Sequence, residues 1–402
     1  MLNPREIIYN RFIKPFSGKT ARNIGVELEF PLINKNGGDV DRTFVAAIMD
    51  YIEEKGFSCV LYGTSREKLF MENSAGDCLS FDNSYNNFEF SMMYGDNLCD
   101  IKSRFDSYYR MVQEYLSGEN HSLFPCGTNP NFANISVNHT PFSTYNMVQE
   151  YLHSFPGKHG YNDFPAFMSS VQTHLDIEES MLPKAYTLFC RLDFVRALLF
   201  GNSPDFEGRG WRIFRDYLWE NSGFGNCPEI TGSVDRNFET IDDIVDFYLE
   251  KGLFNRIRNG EYEVFEPVKI RDYFTDERYD AREEDIECYL SFRNVELTSR
   301  GTLEVRSDCT QKEGRFFAPP AFNLGVLNNL EKAQAALDLF IADCKINLKP
   351  SQLRKLAAEG REEEIAPLYL LSELCVKLLE IAREGLEKRG MGEQHLLDYN
   401  AF

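Results

Sequence analysis

Apolar and polar positions alternate with a period of two over residues 24–32, 86–92, 169–177, 288–297 and 301–308, each stretch bounded by turn residues. That alternation predicts half-buried strands. Between them the apolar period lengthens to that of a helix, over 42–55, 98–117, 181–200 and 238–251. After Pro319 and Pro320 the pattern is helical throughout, over 321–345, 350–359 and 363–389. Strands this widely separated predict a mixed sheet with helices on one face rather than regular strand-helix-strand winding. The hexamer MVQEYL occurs at Met111–Leu116 and again at Met147–Leu152, with unrelated flanks and no third copy. It reads as two similar amphipathic helices, not as a repeat architecture. Residues 118–140 and 153–165 concentrate Gly, Pro, Asn and His and read as loops, where binding residues and lids tend to sit.

The polar members of the alternating stretches are chemically selective. In Ile24-Gly25-Val26-Glu27-Leu28-Glu29-Phe30 two glutamates share one strand face, roughly 6.5 to 7 Å apart along the backbone. That spacing suits two hard cations bridging to a polyphosphate. Glu89 stands between Phe88 and Phe90, and Gln172, His174 and Asp176 share one face of the stretch 171–177. The last stripe sets Thr302, Glu304, Arg306 and Asp308 together, so a carboxylate that holds a metal lies beside a guanidinium that clamps phosphate oxygens. A solvated face, an ion-pair ladder or a structural histidine would explain any one stripe. Four such stripes predict a concave sheet surface that holds cations.

Composition narrows the field. Asp and Glu outnumber Lys and Arg by 63 to 43, for a net charge of -20, which opposes a nucleic-acid backbone. No run of about eighteen apolar residues occurs, and the opening MLNPREIIYNRFIKPF lacks the apolar core of a secretory signal. The expectation is a cytoplasmic chain with no membrane and no nucleic-acid partner. Ten cysteines scattered singly, without C-x-x-C spacing, read as free thiols of a reducing compartment.

In order along the chain, Gly25-Val26-Glu27-Leu28-Glu29, Cys126-Gly127-Thr128-Asn129-Pro130, Val171-Gln172-Thr173-His174-Leu175-Asp176, Asn202-Ser203-Pro204 with Arg215 and Trp219, and Gly301-Thr302-Leu303-Glu304-Val305-Arg306 resemble the motif series of the glutamate-cysteine ligase family, in its plant-type and carboxylate-amine ligase branches. The tail from Ala382 to Leu397 is similar to that family's C-terminal helices. The resemblance implies an α+β, glutamine-synthetase-like fold: a curved, mostly antiparallel sheet with helices on its convex face. A catalytic domain would span 1–320 and a helical section packed on it 321–402. It implies ATP and two or three magnesium ions, with manganese as the substitute, and a place in glutathione biosynthesis. Glu27, Glu29, Glu89, Glu304 and His174 would be metal ligands. Gln172, His174 and Arg306 would meet the nucleotide, Arg306 and Glu304 would be catalytic, and Arg215, Thr128 and Asn129 would bind substrate. The substrates would be glutamate and an amine such as cysteine. Oligomeric state is not legible.

Two positions depart from the family pattern. Val295-Glu296 stands where related sequences have Val-Arg, with Arg293 and Arg300 nearby, and Thr144 stands where an arginine often precedes Tyr145. Two rival readings remain at this point: a guanidino-kinase-like phosphotransferase, and a catalytically silent relative that binds nucleotide or amino acid.

Overall fold

In the computed structural model, which describes residues 2–227 and 229–397, the alternating stretches pair into one antiparallel sheet. Its strands are β1 (Ile24–Asn34), β2 (Phe57–Tyr62), β3 (Lys68–Asn73), β4 (Cys78–Phe81), β5 (Asn87–Gly95), β6 (His121–Leu123) and β7 (Ser170–Asp176). Two parallel two-residue strands, β8 (Thr231–Gly232) and β11 (Phe292–Arg293), and the hairpin β9 (Gly252–Arg258) and β10 (Glu261–Lys269) lie outside it. The sheet is completed by β12 (Val295–Leu297) and β13 (Thr302–Cys309), in the order β12-β13-β7-β1-β5-β4-β3-β2, with β6 on the far end of β1.

One face of the sheet is apolar because every second residue is. Val26, Leu28, Phe30 and Leu32 on β1 are fully buried, as are Phe88 and Phe90 on β5, Val171 and Leu175 on β7, and Leu303 and Val305 on β13. Helices cover this face. Leu98–Gly118 supplies Phe105 and Tyr109 to an edge-to-face ring cluster with Phe30, Phe90 and Phe316. The helix Ala318–Leu327 is buried on all sides, between β7 and the long helix Leu368–Arg389. The two helices approach backbone to backbone: a Cβ on Gly325 would lie 2.2 Å from the Ala382 carbonyl oxygen, and one on Gly385 2.0 Å from that of Gly325.

The α+β expectation and its antiparallel sheet are borne out, with corrections in detail. The stretch 181–200 is two helices, Leu182–Arg191 and Asp193–Phe200, because Asp193 is pinned at the break by Arg196, Ser307 and Asn294. The stretch 321–345 likewise divides into Ala318–Leu327 and Leu330–Asp343, where Asn329 turns to donate to the Ile381 carbonyl. Of 288–297 only β11 and β12 are strand. Both copies of MVQEYL lie in helices, Leu98–Gly118 and Ser143–Ser154. No described helix is long and apolar enough to cross a membrane.

The glycine crossing is testable. Alanine at 385 gains about 1 kcal/mol of helix propensity, yet overpacks the contact by about 1 to 3 kcal/mol or more. Gly385→Ala therefore lowers the midpoint of urea unfolding; an unchanged or raised midpoint would mean the two helices do not touch there.

Candidate active site

The face opposite the core carries the chemistry, and strand register puts it there. Directly paired residues of antiparallel strands share a face. Glu304 of β13 pairs with His174 of β7, which pairs with Gly25 of β1. Two residues along, Gln172 pairs with Glu27, and Glu27 with Ser91. Two further, Glu29 pairs with Glu89, and Glu89 with Ser80 of β4. Three successive rows thus bring Glu27, Glu29, Glu89, Gln172, His174 and Glu304 together from four distant segments.

Within the rows the side chains divide into two groups. His174 Nε2 stands 3.1 Å from Glu27 Oε1 and 3.7 Å from a Glu304 oxygen, and one ligand atom from each of the three falls within 4.8 Å of the others. Mixed carboxylate and imidazole donors converging at that distance fit a divalent cation. Glu29 lies in the next pair of rows, accepting from Gln172 Nε2 at 2.6 Å and from the Ser170 amide at 2.9 Å. Glu89 accepts from Ser91 at 2.5 Å and Ser80 at 3.4 Å. Arg306 Nη1 reaches Glu304 at 3.2 Å.

Acids gathered in a low-dielectric hollow oppose one another's ionisation. Burial, then Asp82 and Glu27, push the Glu29 carboxyl up to about 8 against the pull of Arg215. Burial and the charges of Glu27, Asp82 and Glu29 hold Glu89 well above the usual carboxylate range. Glu27 goes the other way: burial would raise it, but His174, Arg300 and Arg306 outweigh burial and hold it down to about 2. A bound dication would supply the positive charge that the Glu29 and Glu89 end lacks, which is the sense in which these residues fit magnesium or manganese.

Beside this end lies a cavity of about 470 Å³, lined by Glu29, Asp82, Gln172, Arg215 and Arg306 on one side and by Val148, Met168, Trp219 and Phe292 on another. Arg215 is buried, donates from Nη2 to the Arg306 carbonyl at 3.1 Å and keeps its Nε unpartnered. Thr128 and Asn129 do not line the cavity. Both are fully buried, Thr128 against the Ser203 hydroxyl and Asn129 against the Leu32 and Asn86 carbonyls, where they fix the loop before β7.

The structure adds residues that alternation could not reveal. Asp82 lies in the turn between β4 and β5; burial raises its carboxyl while the Tyr145 hydroxyl and Asn87 bond it. Arg354 arrives from the helix Pro350–Ala358, clamps Asp216 at 2.6 and 3.1 Å and lines the cavity together with Lys355. A buried helical arginine was the available signal for it, visible only once the fold is known. The two departures also resolve. Glu296 is neutralised by Lys251 at 2.6 Å, within a shell of Tyr186, Tyr248 and Tyr289, while Arg293 is spent on the Glu229 and Ser233 carbonyls. Thr144 lines the cavity and bonds Tyr262 at 3.1 Å.

The chain is 24% identical over 280 residues to a chloroplastic glutamate-cysteine ligase of Medicago truncatula, covering 68% of this chain and 54% of that protein. It is 25% identical over 237 residues to its counterpart in Arabidopsis thaliana, covering 57% and 45%. It thus spans about half the length of the curated relatives it matches. Similar solved structures include a glutamate-cysteine ligase of Francisella tularensis in complex with AMP, at 12% identity and TM-score 0.48, covering 94% of this chain and 83% of that one. Another is a bifunctional glutathione synthetase of Pasteurella multocida, at 16% identity and TM-score 0.44, covering 96% and 50%. The model of glutamate-cysteine ligase family 2 matches residues 23–358, and the chain belongs to that family.

Proposed function

We propose that the protein is an ATP-dependent carboxylate-amine ligase that joins the side-chain carboxylate of glutamate to the amino group of cysteine through a γ-glutamyl phosphate. The observation that carries this reading is the convergence of Glu27, Glu29, Glu89 and Glu304 with His174 and Arg306 on one sheet face, in a chain of this family.

A carboxylate is a poor acyl donor, so its oxygen first attacks the terminal phosphorus of ATP and ADP leaves. The amine, in its neutral form, then attacks the acyl carbon; phosphate departs and the nitrogen loses a proton. Magnesium, held by Glu27, His174 and Glu304 and by the Glu29 and Glu89 group, would supply charge neutralisation on the phosphate oxygens. Arg306 stands beside Glu304 in position to meet the transferring group. Arg215, which lines the cavity with a guanidinium Nε left unpartnered, suits the α-carboxylate of the amino-acid substrate. Val148, Met168, Trp219 and Phe292 keep the acyl phosphate from water.

In this reading Arg354 and Lys355, which line the cavity, give the helical section packed on the catalytic domain a share in the site. We place the reaction in the cytoplasm, consistent with ten free cysteines.

Purified protein with ATP and magnesium is expected to release ADP and phosphate only when an acid and an amine are both present, glutamate and cysteine giving the highest rate. Phosphate retained on a guanidino nitrogen would mark a kinase, and no turnover with any pair a silent relative. Glu27→Gln is expected to lower kcat about a hundredfold or more; unchanged turnover contradicts the site. Because the Glu29 carboxyl is pushed up to about 8, a dication displaces a proton on binding below that pH. Manganese affinity should therefore rise from pH 6 to about 8, with proton release visible as a buffer-dependent heat by calorimetry. A pH-independent affinity would place the ion elsewhere.

A further inference from the structure

We propose that Tyr94, in the row whose His174 Arg300 also reaches, is the platform on which the purine of the nucleotide stacks. The inference rests on the ATP-dependent reading and extends it to Tyr94, which neither the motifs nor the family resemblance singled out.

The site has two unlike ends. Gly25 and Glu29 lie roughly 13 Å apart along β1. At the Glu29 end the cavity lining sets the acids Glu29 and Asp82 near the bases Arg215 and Arg306, which suits small zwitterions. Its tryptophans are engaged with other rings: Trp219 stacks on Phe292 with centroids 4.8 Å apart and meets Phe164 edge-on at 4.8 Å, and Trp211 packs against Tyr217.

The Gly25 end is the reverse. β5 bulges opposite Gly25, between the pairs Ile24 with Gly95 and Val26 with Met92, and the bulge carries Tyr94. A Cβ built on Gly25 would lie 3.4 Å from the Cβ of His174 and 3.7 Å from that of Tyr94. Tyr94 therefore continues the row Glu304, His174, Gly25, with no side chain between the phenol and the histidine of the triad. Tyr94 is 63% exposed, and its side chain makes no hydrogen bond or ring contact among the described residues. Tyr9, Tyr62 and Tyr369 are also exposed, but none continues that row.

Positive charge for the phosphates is here as well. The side chain of Arg300 is 66% exposed, and its Nη2 stands 3.8 Å from Glu27 Oε1 and 3.5 Å from His174 Nδ1. Lys19 reaches Asp176, at the end of the same strand as His174, at 2.9 Å. A triphosphate crossing the triad with its terminal phosphate toward the Glu29 cavity carries its β-phosphate past Arg300 and its base toward Tyr94. An aromatic face supports a purine by stacking without reading its edges.

The test is the binding of a fluorescent N-methylanthraniloyl ADP to the full chain with magnesium, with tripolyphosphate as competitor. Tyr94→Ala should weaken nucleotide binding about tenfold or more, Tyr94→Phe should restore it, and tripolyphosphate affinity and the KM for glutamate should stay within about twofold of wild type. Tyr369→Ala, on an exposed tyrosine of the last long helix, is the control expected to change nothing. Nucleotide affinity unchanged in Tyr94→Ala, or tripolyphosphate lost in proportion, overturns the platform while leaving ATP-dependent ligation standing. A wild-type chain that turns over no substrate pair and binds neither probe removes the parent reading, and the platform with it.

Discussion

Four glutamates that alternate with apolar residues on three strands of one sheet share one side of it, and the rest of the molecule answers the repulsion this creates. Side chains that are directly paired start about 5 Å apart, and at an effective dielectric near 20 two carboxylates at that distance repel by about 3 kcal/mol. Glu29 opposite Glu89 is such a pair, with Asp82 close by. Among the described residues, the charges that act against these acids are those of Arg306, Arg300 and His174 on Glu27 and of Arg215 on Glu29. They suffice to hold Glu27 ionised but leave Glu29 and Glu89 pushed up. A site that is short of positive charge and lined with oxygen donors is built for cations delivered with a polyphosphate.

Elsewhere buried charge is balanced from within the chain. Glu296, one strand beyond Glu304 in the same row, has Lys251 and three tyrosine hydroxyls. Asp193 and Asp308 are matched by Arg196, and Asp193 and Asp216 by Arg354, so the helix Pro350–Ala358 is tied to the back of β13 through a buried arginine. Removing one partner of such a pair strands a charge. The contrast locates function: internal counterions mark where the fold carries its own charge, and their shortage at Glu29 and Glu89 marks where a ligand brings it.

Period-two alternation predicted β1, β5, β7 and β13, and with them most residues that face the site, because a strand assigns faces by parity; Asp308, expected beside Glu304 and Arg306, instead pairs with Val171 and bonds Asn323 on the core side, because a bulge between Val305 and Asp308 resets the parity. The same rule placed Glu27, Glu29, Glu89, Gln172, His174 and Glu304 on one surface, yet it could not show that His174 joins Glu27 and Glu304 while Gln172 joins Glu29; that division depends on register. Strands β2 to β4 escaped because they are short and at or near the sheet edge, where alternation weakens. Asp82, Tyr145 and Arg354 escaped because a turn and two helices carry no parity signal. Thr128 and Asn129 match a family motif, but in the structure they hold a loop in place, as motif residues in loops often do.

The most direct test of the converging carboxylates is crystallographic. Crystals grown with manganese and a non-hydrolysable ATP analogue should give anomalous peaks at the manganese edge bounded by Glu27, His174 and Glu304 and by Glu29 and Glu89, at oxygen distances of about 2.2 Å. Anomalous density found only at lattice contacts or elsewhere on the surface, with this sheet face empty under saturating nucleotide, would contradict the account.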